Sequence, residues 1–297
     1  MDTKYKQDFI AAGKIAKEVR AYGKSLIIKG ASYNDVIQKI RGKIEALGAI
    51  PAFPPQIALD NVAAHFLPLP GQDIIFTNEL VKLDIGVCYQ GAIGDCAVSV
   101  DLSGKHKHIV DAAEAALKAA KEFIKVGITV GEIGEVIEKT ILSFGLQPIR
   151  NLTGHGLGKF KVHTAPHIPN YKDGSRHKIK PGMTFAIEPF ATDGKGLVHD
   201  GKGATLFSVR DSKRKYDGFI KEVYNTALSF HGLPFCMHDL ITATAPIEIV
   251  KKAAQVLTRD GAFDDYAPLI EVGGGMVAQA EDSILIDEKG RVFFTTC

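Results

Sequence analysis

Apolar residues recur at helical spacing in two stretches that repeat each other. Residues 30–51 read GASYNDVIQKIRGKIEALGAIP, and residues 127–148 read GITVGEIGEVIEKTILSFGLQP. At a constant offset of 97 positions, Val36, Ile40, Ile44 and Leu47 match Ile133, Ile137, Ile141 and Phe144. That spacing predicts an amphipathic helix in each copy. Ser32 and Thr129 stand at the N-cap position, each followed three residues later by an acid, Asp35 or Glu132. Each copy closes at a glycine, Gly48 or Gly145, placed as a residue just past a helix end. A longer apolar stripe precedes each copy and predicts helices over roughly 4–26 and 106–125. The chain therefore reads as a duplicated unit of helix, helix and β-rich segment. This is an α+β fold in which helices cover an antiparallel sheet.

The first β-rich segment holds an anomaly. LDIGVCYQGAIGDCAV, residues 83–98, is apolar or small almost throughout, as in a buried hairpin, yet it carries Asp84 and Asp95. A turn centred between Tyr89 and Gln90 would set the two carboxylates opposite each other, with Cβ atoms about 5 Å apart. Two buried carboxylates at that distance repel and resist ionisation, so a shared proton or a bound dication must compensate. Further acids favour the dication. Glu188 ends the apolar run FAIEPF, Glu281 lies in MVAQAEDSILI, and His155 sits between glycines in TGHGLG, where backbone can approach closely. Two Asp, two Glu and one His suit two divalent ions of the Mn, Fe, Co or Zn type, not structural zinc.

Asp84 precedes Glu188 by 104 residues, close to the repeat offset, whereas Asp95 precedes Glu281 by 186. Two acids per half converge on a pseudo-two-fold axis only if the second half carries an insertion of about 80 residues. Composition changes over 194–271, which opens on DGKGLVHDGKGA and then shows helical patterns at 217–232 and 244–261. The expected division is a catalytic domain of 1–193 plus 272–297, interrupted by a helical subdomain of 194–271.

With 297 residues, 45% hydrophobic, the chain can form a large core. A net charge of +2 argues against a polyanionic partner such as nucleic acid. Cys88, Cys96, Cys236 and Cys297 form no CxxC pair and read as reduced thiols. MDTKYKQDFI lacks the apolar core of a signal peptide, and no apolar run reaches about 18 residues, so a cytoplasmic protein without a membrane span is expected. No GxxxxGK[ST] occurs, and GHGLGK lacks dinucleotide spacing.

LDIG…GDCAVSVDL, NLTGHGLG…VH, PGMTFAIEPF and QAEDSIL together resemble the metal-binding motifs of the methionine aminopeptidases with the pita-bread fold. NVAAHF, GKGLVHD and the helical insertion resemble the type 2, archaeal and eukaryotic branch. The resemblance implies that Asp84 chelates one ion, that His155 and Glu188 bind the other, and that Asp95 and Glu281 bridge both. It implies catalytic roles for His65 and His163 near the substrate and for Glu188 as proton shuttle, with His65, His163, Phe53, Val162 and Phe190 contacting a methionine. A water bridging the two ions would then attack the first peptide bond of a nascent chain as hydroxide, with a preference for a small second residue. The implied partner is the N-terminus of a nascent polypeptide near the ribosome. A monomer is the default expectation for the oligomeric state. Two other readings stay open: a proline-specific dipeptidase or aminopeptidase with the same five ligands, and a non-catalytic RNA- or protein-binding relative.

Overall fold

The structure, a computed structural model, describes residues 2–210 and 214–297. The repeated helices form where the pattern places them. Helix α1 spans Thr3–Leu26, α2 Tyr33–Ala46, α3 Lys107–Phe123 and α4 Val130–Ser143. Ser32 and Thr129 both cap, accepting the N–H groups of Asp35 and Glu132, but only Thr129 and Glu132 complete the reciprocal box. Asp35 does not return its carboxylate; the Ser32 hydroxyl donates to Asp73 at 2.6 Å instead. Gly48 and Gly145 end the copies at φ 73° and 74°, a backbone state open to glycine without a Cβ penalty.

Each helix pair covers its own sheet. Val19 of α1 and Val36, Ile40 and Ile44 of α2 pack on Val81, Leu83, Ile85 and Val87. Ile109, Ala113 and Leu117 of α3 and Ile133, Ile137 and Ile141 of α4 pack on Phe185, Ile187, Ile284 and Ile286. Period-two alternation along strand Leu80–Tyr89 turns its odd positions toward the helices, leaving Lys82, Asp84, Gly86 and Cys88 on the other face. The first sheet joins that strand to Ala92–Asp101, Gln56–Leu59 and Ile50–Pro51. The second runs Val292–Phe294, Asp282–Ile286, Thr184–Ile187, Thr153–Gly158 and Lys161–Pro169, antiparallel throughout. Reciprocal hydrogen bonds between Ala97 and Glu281 join the two sheets.

The hairpin register differs from the expected one. Tyr89 pairs with Ala92, so the turn is Gln90–Gly91, both at positive φ (53° and 87°). Asp84 therefore opposes Ala97, and Asp95 opposes Gly86. The two aspartates are diagonal neighbours on one face, not a facing pair. Turn chemistry decides this: a two-residue hairpin loop with both central residues at positive φ favours glycine, and Gly91 supplies it.

Residues 194–271 contain α5 (Gly218–Leu228), α6 (Ile247–Arg259) and a three-stranded sheet of Leu206–Val209, Phe235–Cys236 and Phe263–Tyr266. They share a hydrophobic cluster around Phe207, Val223, Phe235, Val250, Leu257 and Phe263. The segment's two stems meet at Glu271. Its buried carboxylate accepts N–H bonds from Lys195 and Gly196 on one side and Gly273 and Gly275 on the other. Gly194 and Gly273 have no Cβ to displace it, and Gly275 packs bare against the Gly194 backbone. Among the described residues no helix is long and apolar enough to cross a membrane.

Candidate metal centre

The two lobes bring four carboxylates and one imidazole to the join between the sheets. Asp84 and Asp95 come from the first hairpin; Glu188 follows strand Thr184–Ile187, and Glu281 precedes Asp282–Ile286. His155 lies mid-strand in Thr153–Gly158, paired with Ala186 and His167. Its flanking glycines are required by packing. A Cβ on Gly154 would strike the carbonyl oxygen of Ala186, and one on Gly156 that of Ala165.

One ligand atom from each of Asp95, His155 and Glu281 can be chosen so that all lie within 4.8 Å of one another; the same holds for Asp84, Glu188 and Glu281. Glu281 belongs to both sets. Glu188 groups with Asp84 in this arrangement, whereas the family resemblance pairs it with His155.

Asp95 and Glu281 are almost fully buried, as is His155. Burial and the neighbouring carboxylates hold Asp95, Glu188 and Glu281 well above the usual carboxyl range, and burial pushes Asp84 up to about 7. No lysine or arginine forms an ion pair with any of the four among the described residues. The basic side chain beside Asp95 and Glu281 is His155, at 3.8 and 3.9 Å. Burial, with His163 beside it, holds His155 down at about 3, so it is neutral. Its Nδ1 faces the Gly156 carbonyl at 3.4 Å, which leaves the Nε2 lone pair aimed at carboxylate oxygens.

Lone pairs thus converge on lone pairs. Among the described residues Asp84 Oδ1, Asp95 Oδ1 and both oxygens of Glu281 have no hydrogen-bond partner. Buried acceptors without donors are costly and uncommon, and a cation resolves the conflict. The donor set of oxygens with one imidazole nitrogen fits divalent ions.

A cavity of about 250 Å³ opens over the cluster. All ten residues expected at the site line it: Phe53, His65, Asp84, Asp95, His155, Val162, His163, Glu188, Phe190 and Glu281. Phe53, Val162 and Phe190 form apolar wall. Phe53 stacks into the space left by Gly86, where a Cβ would strike its ring. His163 lies edge-on to His155 with centroids 4.4 Å apart. Desolvation and then His167 hold His163 below its ordinary value; burial and then His163 hold His65 at about 4. His65 takes φ 61°, a strained state for a non-glycine residue, and meets Tyr266 at 5.7 Å.

Sequence reasoning missed Gln279, whose amide donates to Glu188 at 2.7 Å and to Asp84 at 3.4 Å. Its place two residues before Glu281, hence on the same face of an extended chain, was a usable signal. It also missed Gln56, Tyr266, Leu206 and Leu269 in the cavity wall, the last three drawn from the segment 194–271.

A duplicated α+β scaffold with a carboxylate–histidine cluster at its join defines a class, and comparison with known proteins specifies it. The model of metallopeptidase family M24 matches residues 7–288, and the chain belongs to that family. Within it, the chain belongs with the methionine aminopeptidases. The protein of that name from Archaeoglobus fulgidus is 36% identical over 297 residues, covering 99% of this chain and 100% of its own. The fold is the pita-bread fold. The crystal structure of methionine aminopeptidase from Thermotoga maritima superposes with a TM-score of 0.72 at 23% identity, covering 100% of this chain and 98% of that one. The structure of a thermophilic Arx1 gives a TM-score of 0.83 at 15% identity, covering 99% and 91%.

Proposed function

We propose that this protein removes the N-terminal methionine from nascent polypeptides, with a small second residue preferred, using two divalent ions held by Asp84, Asp95, His155, Glu188 and Glu281. The observation that carries the reading is the orphaned carboxylate cluster, faced by a neutral imidazole at the floor of an apolar cavity. Cobalt, manganese, iron and zinc all suit this donor set. When bound, the ions supply Lewis acidity toward the peptide carbonyl and acidify a water molecule.

The remaining steps belong to the protein's own side chains. Gln279 occupies Oε1 of Glu188, leaving Oε2 to take a proton from the attacking water and pass it to the departing amide nitrogen. His65 and His163, both held neutral, donate hydrogen bonds to the scissile carbonyl oxygen as charge develops there. Phe53, Val162 and Phe190 enclose the methionine side chain and exclude water. The cavity of about 250 Å³ takes one unbranched side chain. Residues 194–271 act as an inserted subdomain on the domain formed by 1–193 and 272–297, and Tyr266, Leu206 and Leu269 complete the pocket wall. The protein works as a cytoplasmic monomer near the ribosome.

Release of methionine from Met-Ala-Ser, set beside cleavage of Xaa-Pro peptides and an RNA mobility shift, tests this function. Turnover of Met-Ala-Ser with neither of the others is expected. Preferential Xaa-Pro cleavage would assign the proline-specific activity, and RNA binding without peptidase activity a non-catalytic role.

A further inference from the structure

The join between the lobes is built in an unusual way. Ala97 and Glu281 form one reciprocal backbone pair, with N···O distances of 3.3 and 3.2 Å. Two residues along in each direction, a regular antiparallel ladder would pair Asp95 with Ser283 and Ser99 with Gln279 through their backbones. At both places a serine hydroxyl takes the partner's backbone groups instead; Ser283's own N–H and carbonyl are bonded to the Thr296 hydroxyl and the Thr295 N–H. Ser283 Oγ accepts from the Asp95 N–H and donates to the Asp95 carbonyl, each at 2.8 Å. Ser99 Oγ accepts from the Gln279 N–H and donates to the Gln279 carbonyl, again at 2.8 Å each. A local two-fold axis through the Ala97–Glu281 pair exchanges Ser99 with Ser283 and Asp95 with Gln279. All four residues are buried, with relative exposures of 0–3%.

A hydroxyl in the rung satisfies both backbone groups while holding the strands further apart than a direct N–H···O bond. Direct backbone pairing between the two lobes here is thus limited, among the described residues, to the Ala97–Glu281 rung, and serine hydroxyls make the flanking links. One serine grips a carboxylate ligand, Asp95. The other grips Gln279, whose amide reaches Glu188 and Asp84.

We propose that Ser99 and Ser283 are matched hydroxyl spacers that set the separation of the two lobes at the carboxylate cluster, with Gln279 acting as the positioning residue that passes this separation to Asp84 and Glu188. The inference rests on the metal reading above. Gln279 does not line the cavity, so its effect falls on metal geometry and not on the peptide.

The test is titration of chelator-stripped protein with Mn²⁺, read by calorimetry, beside kcat and KM on Met-Ala-Ser. Gln279→Met keeps the backbone rung and removes both amide donors. It should weaken Mn²⁺ about 10–100-fold, the usual effect of losing a partner that orients a metal ligand. KM for the peptide should stay within about twofold while kcat falls, the pattern of a lost interaction that does not bind substrate. Ser99→Ala should weaken Mn²⁺ about tenfold alone yet add little in the Gln279→Met background, because it acts through that side chain. Full additivity, or Mn²⁺ affinity in Gln279→Met equal to that of the unaltered protein, overturns the proposal; should Ser99→Ala not fold, Gln279→Met alone decides. If the unaltered protein itself binds no Mn²⁺, the metal reading fails and this inference with it.

Discussion

His155 shows how much of the site turns on single side chains. A histidine placed among four acids would ordinarily become an imidazolium and neutralise one of them. Here burial holds it neutral at about 3, and its free nitrogen adds a fifth lone pair to a cluster already short of donors. The sequence carries the identities of these residues but not their protonation, which depends on how deeply two distant strands bury them. His163 differs in consequence although it lies beside His155. It faces the cavity and belongs to neither metal-ligand set. His163→Ala is expected to lower kcat by roughly 10²-fold or more, the scale for a lost polar group that acts on the transition state. Metal content measured on the same sample should be unchanged; loss of metal would instead make His163 a ligand.

At the scale of elements, periodicity was enough to locate α1 to α4 and both helices of the segment 194–271. The hairpin was less legible. Alternation placed Asp84 and Asp95 on one face, and that survives. The pairing did not, because a two-residue shift of register preserves every face and only the Gln90–Gly91 turn distinguishes the alternatives. Gln279 was only half legible: its place two residues before Glu281 puts it on the site's face, but no local pattern marks its partners Glu188 and Asp84, 91 and 195 residues away. The glycines around His155 allow close backbone approach, by Ala186 at Gly154 and by Ala165 at Gly156. Gly154→Ala forces a methyl group onto the Ala186 carbonyl. It should destabilise the protein by about 1–3 kcal/mol, seen as a lower denaturation midpoint at unchanged m, and should weaken metal binding as His155 shifts. An unaltered midpoint would mean that the two strands can separate without cost.

For the whole molecule, the two lobes are tied at points remote from the site as well as at it. Asp287, just past the strand Asp282–Ile286, accepts bonds from Lys6 of α1 and from the Lys289 N–H and the Arg291 N–H and side chain, at 2.7–3.0 Å. Burial opposes its ionisation, but the bonds from Arg291 and Lys6 prevail and hold the carboxyl well below the usual range. A carboxyl depressed on folding adds stability above its unfolded pKa of about 3.9, and that stability drains away as pH falls below it. Asp287→Asn should therefore lower the melting temperature at neutral pH and flatten its decline between about pH 4 and pH 2; parallel melting curves for the two proteins would show that Asp287 contributes nothing. At the join itself, side chains from both lobes are proposed to hold metal for peptide hydrolysis. The most direct measurement is methionine release from Met-Ala-Ser by protein stripped with chelator and then supplied with Mn²⁺ or Co²⁺, in parallel with Asp95→Ala. The account predicts that stripping abolishes turnover, that either ion restores it, and that Asp95→Ala neither retains the ions nor recovers. Full turnover by metal-free protein, or by Asp95→Ala, would contradict it.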